Sequence, residues 1–217
     1  YVGAIYKAGI PNIVMQALWT VYIAGLNVIL SSFSDAAVTV LGIYYKLQSF
    51  FLIPLNALGI CILPVVSFNY AIEKWDRCKK ILKDTCLFSV IFMILGAFIF
   101  IVLPEKAIGI FSSDKEVLSL GNIAFKIIGT SFVPITFTLI FPIFFTALGK
   151  TKESIFIPVL REVVLFVPVA WIFSFVGVSY VWLTFPITEV VTCVFCFVFS
   201  VKIFFKQNKF PLSTVLM

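Results

Sequence analysis

Five ionisable side chains stand inside long apolar runs: Lys46, Lys126, Arg161, Glu162 and Glu189. A charge in hydrocarbon is costly, so it either pairs or lines a wet path along which a proton or cation moves. At a helical rise of about 1.5 Å per residue, Lys46, Lys126 and Glu189 are expected in the outer half of a membrane, and Arg161 and Glu162 in the inner half. Glu189 can then pair with Lys126. Such a pair fixes helix register, whereas a carboxylate in a water-filled cavity exchanges a proton or cation, and the sequence leaves both open. Uncharged polar residues add to the set: Gln16, Thr20 and Asn27 in one run, Gln48 and Asn56 in the next, and Thr130, Ser131, Thr136 and Thr138 in a later one. Each can line a cavity or bond across helices.

Other chemistry finds no support. The chain has no histidine, which removes His-based catalysis and the common zinc-protease pattern. No serine occupies a G-x-S-x-G elbow, no glycine-rich loop precedes a phosphate-binding lysine, and no carboxylates stand at catalytic spacing. The cysteines Cys61, Cys78, Cys86, Cys193 and Cys196 are scattered, and the Cys193/Cys196 pair lacks the neighbours that zinc or redox work needs. The expectation is therefore not an enzyme, with no metal and no cofactor.

The elements that must position these residues are apolar helices. Of 217 residues 62% are hydrophobic and 12% charged, with a mean hydropathy of +1.15. Soluble domains carry about 45–50% apolar and about 25% charged residues, so the excess belongs in a bilayer. The net charge of +6 sits in the gaps between apolar runs, which reads as membrane topology and not as a nucleic-acid face.

Crossing the hydrocarbon takes about 20 apolar residues, and six stretches qualify: Ile10 to Leu30, Val38 to Phe68, Thr85 to Leu103, Leu118 to Leu148, Ile155 to Val176, and Tyr180 to Phe205. The fold class is all-α, with six transmembrane helices. Lys7, the group Lys74, Arg77, Lys79, Lys80 and Lys83, the pair Lys150 and Lys152, and the tail lysines Lys202, Lys206 and Lys209 occupy one set of connections. The alternate connections hold Asp35, and Lys106 and Lys115 against Glu105, Asp114 and Glu116. The basic set marks the cytoplasmic side, so both termini of this chain are expected there. The chain starts at Tyr1, without an initiator methionine, and is expected to be part of a longer protein.

Ala71, Trp75, Cys78 and Leu82 recur at helical spacing with charges on the other face, which predicts an amphipathic elbow lying along the interface. Prolines 54, 64, 134, 142, 158, 168 and 186 punctuate the spans as hinges or packing features. Ser113 to Glu116 has the S-x-x-E form of a capping box and predicts a helix start.

Several ordered motifs resemble one family. AGIP (8–11), LGIYYKLQSFFLIPLNALGICILPVVSFNYA (41–71), LPEKAIGIFSSDKEVLSLG (103–121), FFTALGKTKES (144–154) and VWLTFPITEV (181–190) are similar to the C-terminal lobe of a MATE (multidrug and toxic compound extrusion) transporter. Lys46 fills the family's basic position in the second helix of the lobe, and Asn69-Tyr70-Ala71-Ile72 keeps its Asn-Tyr but has Ile72 where Gly-Ala is usual. The resemblance implies that residues 1–217 supply helices seven to twelve of a twelve-helix transporter. It implies the N-terminal six-helix lobe and the bilayer as partners, plasma-membrane location, and efflux of cationic, amphipathic small molecules by antiport with sodium or protons. NorM-like members place acidic residues near the positions of Trp19 and Thr138, where this chain has none. That implies a DinF-like or MepA-like pattern, with the coupling ion bound mainly in the N-terminal lobe. A vestibule wall is expected from the first, second and fourth spans. Two alternatives remain: a lipid-linked oligosaccharide flippase, if Lys46, Lys126 and Arg161 converge on one cavity, and a non-transporting scaffold, if the polar groups fail to converge.

Overall fold

Helices make up nearly all of the chain, and the breaks between them follow from proline, glycine and capping residues. The computed structural model of the protein describes residue 17 and residues 20–209, with side chains as far as residue 204. The order is α1 (Thr20–Ser31), α2 (Asp35–Ala71), α3 (Trp75–Val102), α4 (Pro104–Gly109), α5 (Lys115–Gly129), α6 (Phe132–Ala147) and α7 (Thr151–Val159), then a π-helical segment (Leu160–Phe166), α8 (Val167–Ser174), α9 (Val178–Val181) and α10 (Thr184–Lys209). No strand occurs among the described residues.

Four stretches are long and apolar enough to cross a bilayer: α2, α3, residues 151–174 and residues 178–204. The pair α5–α6, bent by 52°, makes a fifth. The first expected span, 10–30, lies partly outside the described residues, and α1 is its described portion. In the most apolar part of each of the four spans a third of the residues or fewer are buried within the chain, and Phe50, Ile60, Phe68 and Phe175 point outward. A surface so apolar is stable only where the surroundings are hydrocarbon.

Local chemistry sets the ends. Ser34 caps α2 by accepting from the Ala37 amide at 3.2 Å, and Asp35 complements the helix dipole. At the other end Lys74 N–H donates to the Asn69 carbonyl at 2.9 Å, and Glu73 adopts a positive φ of 59°. α3 then starts at Trp75 and runs unbroken to Val102. The expected interfacial elbow is therefore not a separate element: Cys78 and Leu82 are buried against α2 and α6 residues, because their stripe continues the buried face of α3. The cap before α5 is Asp114, not the expected Ser113; Asp114 Oδ1 accepts from the Glu116 and Val117 amides at 2.7 and 3.3 Å.

Two breaks share one cause. Pro134 is the third residue of α6 and Pro186 the third of α10, and a proline ring collides with the carbonyl four residues earlier. Those carbonyls belong to Thr130 and Trp182, where the chain bends and where α9 gives way to α10. The predicted spans 118–148 and 180–205 are thus each interrupted. Pro158 and Pro168 flank the π segment, where the hydrogen-bond ladder widens.

Two apolar clusters hold the helices. One centres on Phe100, which stacks on Phe125 at 4.6 Å and lies 4.6 Å from Phe132, and extends to Tyr44, Phe166 and Phe185. The other joins Ile62, Val66 and Cys78 to Phe144, Phe145 and Ile157. Gly96 permits the first: a Cβ there would stand 2.8 Å from the Phe132 ring and 3.0 Å from Phe51.

Candidate functional site

The three interrupted helices meet at a buried charge. Glu189, on the interior face of α10, is 1% exposed. Its Oε1 accepts from Arg161 Nε at 2.7 Å and lies 2.7 Å from Arg161 Nη2. Its Oε2 accepts from Thr138 Oγ1 of α6 at 2.7 Å. Thr138 also lies 3.1 Å from the Ile135 carbonyl, but a hydroxyl has one proton, and the shorter contact to an ionised carboxylate takes it. The carboxylate is thereby fully partnered, which is the condition for burying a charge in an apolar interior.

This arrangement corrects two expectations. Glu189 pairs with Arg161, not Lys126, and the two charged groups meet at one depth and not in opposite halves. Counted at about 1.5 Å per residue from Ile155 and from Tyr180, the two backbones fall on either side of the middle of the membrane, within about one arginine side-chain length of each other, and the long guanidinium stem closes that gap.

Glu162, next to Arg161, is also buried, and its Oε2 has no hydrogen-bond partner. Sequence reasoning missed the face that carries Glu189. Thr184, Thr188 and Thr192 are all buried on α10, and the last two back-bond to Thr184 O and Thr188 O at 2.8 and 2.7 Å. Their spacing of four was visible in the sequence and marks one helix face. Thr184 Oγ1 and Thr136 Oγ1, by contrast, are buried without a partner.

The remaining sequence candidates do not join this node. Gln16 lies outside the described residues. Thr20 and Asn56 are exposed. Asn27 turns back on its own helix, with Nδ2 donating to Ile23 O at 3.0 Å. Gln48 is buried on α2, one turn from Tyr44. Around the node stands an aromatic wall: Tyr22 meets Phe166 edge-on at 4.4 Å, and Tyr44 meets Phe185 at 5.0 Å. Lys46 is exposed and lies 5.8 Å from the Phe111 ring centroid. Lys126 is exposed and faces the crevice between the end of α3, α4 and α5. The three cations expected to converge in a flippase thus occupy three separate surroundings.

What the buried node can do chemically is limited and definite. It ties α6, the π segment and α10 together at one point, where Arg161 and Glu189 neutralise each other and Glu162 stands beside them outside that pair. Among the described residues no group of three or more His, Cys, Asp or Glu side chains could hold a metal ion.

Comparison with known proteins agrees with this architecture. Residues 11–172 match the MatE family. The multidrug export protein MepA of Staphylococcus saprophyticus is 26% identical over 172 residues, covering 78% of this chain and 37% of that protein. The FAD transporter of Shewanella oneidensis is 24% identical over 194 residues, covering 89% of this chain and 43% of its own length. The Vibrio cholerae MATE transporter VcmN in its bent form superposes with a TM-score of 0.86 at 19% identity, over 95% of this chain and 48% of that one. The chain spans less than half the length of these relatives. With a match over well more than half of its residues and the fold of a MATE transporter's helices, the chain belongs to the MatE family.

Proposed function

We propose that this chain is the C-terminal six-helix lobe of a twelve-helix multidrug exporter, working by cation-coupled antiport in the plasma membrane with both ends of the chain cytoplasmic. Its substrates are cationic, amphipathic small molecules. The N-terminal lobe supplies the facing wall of the cavity and binds the sodium ion or proton. The observation that carries this reading is the match to multidrug export proteins across 78% of the chain. Placing the coupling ion in the other lobe is supported by the satisfied state of Glu189: a carboxylate already held by Arg161 and Thr138 has little to offer a further cation. The dispersal of Lys46, Lys126 and Arg161 weighs against the flippase alternative; Asn27, Gln48 and Asn56 do not converge with Thr138 either, which is the scaffold pattern within this lobe, and the match to export proteins weighs against that reading.

The full-length transporter in inverted vesicles tests the reading. Ethidium should accumulate when a sodium or proton gradient is imposed and should leak when it is dissipated. Gradient-independent behaviour would remove antiport, and gradient-driven movement of FAD without ethidium would favour the flavin reading that the Shewanella relative suggests. An impermeant label on intact cells should reach Lys115 and not Lys79; the reverse would overturn the orientation.

A further inference from the structure

The crevice that holds Lys126 has a composition unlike the rest of the apolar surface. It is an open cavity of about 270 Å³ lined by Val102, Leu103, Glu105, Lys106, Asn122 and Lys126. That is at the low end of small-molecule sites, about 300–1,000 Å³, and suits a headgroup better than a drug. Asn122 Nδ2 donates to Glu105 Oε1 at 2.6 Å, which turns the Asn122 carbonyl the other way. Asn122 Oδ1 is buried and has no hydrogen-bond partner, so it can accept from a donor brought by a ligand.

The depth of the crevice is fixed by α3. After Asp84 that helix carries no charge as far as Leu103, and the stretch between them spans about 28 Å at about 1.5 Å per residue, close to the roughly 30 Å of bilayer hydrocarbon. The backbone then breaks at Leu103, an interruption that lipid-exposed chain does not tolerate inside hydrocarbon. Leu103 and the lysines beside it therefore lie at the boundary between acyl chains and headgroups, with Phe98 and Val102, exposed one turn apart on α3, on the acyl side.

We propose that this crevice binds a phospholipid whose headgroup is phosphoethanolamine, in the leaflet that α3 runs into. Lys106 and Lys126 take the phosphate as donors and point charges. The ammonium group donates to the Asn122 carbonyl and the Glu105 carboxylate, and the acyl chains lie along Phe98 and Val102. The carboxylate and the orphaned carbonyl decide the headgroup, since two lysines alone would fit any anionic lipid. This reading rests on the chain crossing a membrane and not on what the transporter exports.

The test is lipid retention by the purified full-length protein, read by native mass spectrometry with dioleoyl phosphatidylethanolamine, phosphatidylglycerol and phosphatidylcholine at equal mole fraction. Phosphatidylethanolamine should be retained over the other two. Lys126→Ala should lower its retention about two- to fivefold, the range of a solvent-screened ion pair, and Glu105→Gln with Asn122→Ala should lower it while leaving phosphatidylglycerol unchanged. Equal or greater retention of phosphatidylglycerol, displacement by inorganic phosphate alone, or no response to any of these substitutions would overturn the proposal. Each of these side chains except Asn122 is exposed, so if the double variant fails to accumulate, Glu105→Gln alone should lower phosphatidylethanolamine retention and leave phosphatidylglycerol unchanged, and equal retention of phosphatidylethanolamine by that variant would overturn the proposal.

Discussion

Two groups of charged side chains on apolar helices behave differently in this lobe. Arg161 and Glu189 are deep, buried and bonded to each other, while Lys46 and Lys126 are exposed and reach helix ends or an aromatic ring. All four sit in runs that look alike on a hydropathy scale. What separates them is whether the side chain can reach water or the headgroups. Lys126 lies opposite the α3–α4 break, and Lys46 lies beside Phe111 in the connection before α5. Their long stems place the charge in water or among headgroups. Arg161 and Glu189 have no such exit and must neutralise one another.

The largest expected effect breaks the buried side of this contrast. Arg161→Ala leaves Glu189 charged and unpaired, a loss of about 3–5 kcal/mol, and should strip most folded protein from the membrane as read by fluorescence-detection size exclusion. Replacing both partners, Arg161→Met with Glu189→Met, should recover much of that yield, because a buried pair is often worth no more than well-packed apolar groups. Failure of the double variant to recover would show that the pair does more than neutralise itself. Thr138→Ala removes one hydrogen bond and should cost about 1 kcal/mol or less, with the ion dependence of efflux unchanged; loss of ion dependence would move coupling into this lobe. The smallest effect sharpens the exposed side: Lys46→Ala should change thermal stability by less than about 1 kcal/mol, the size of an exposed cation–π contact.

Much of the architecture was legible because hydrocarbon imposes a simple rule on span length and loop charge. The all-helical fold and the approximate positions of α2 and α3 followed from it. The breaks at Thr130 and Trp182 were signalled by Pro134 and Pro186, but a proline only permits a bend. Whether the helix bends depends on neighbours such as Phe132, packed between Phe51 and Phe100. The pairing of Glu189 was not legible. Depth counted along the backbone puts the two residues on different levels, and it leaves out the reach of the arginine side chain, which closes the gap to Glu189. The elbow failed for a related reason: Trp75, Cys78 and Leu82 do form an amphipathic stripe, yet its apolar side meets Val66, Phe144 and Phe204 and not lipid.

The segment from Leu160 to Phe166 therefore acts like a spare tooth in a gear. One additional residue is threaded through the coil, and everything downstream, including Trp171 and Phe175, is phased by it. Deleting a single residue there would let the coil close to its ordinary pitch and rotate α8 by about 100°, sending its outward aromatic edge inward. Chain length across those seven positions, more than the identity of any one side chain, decides which face of the last hairpin greets the lipid.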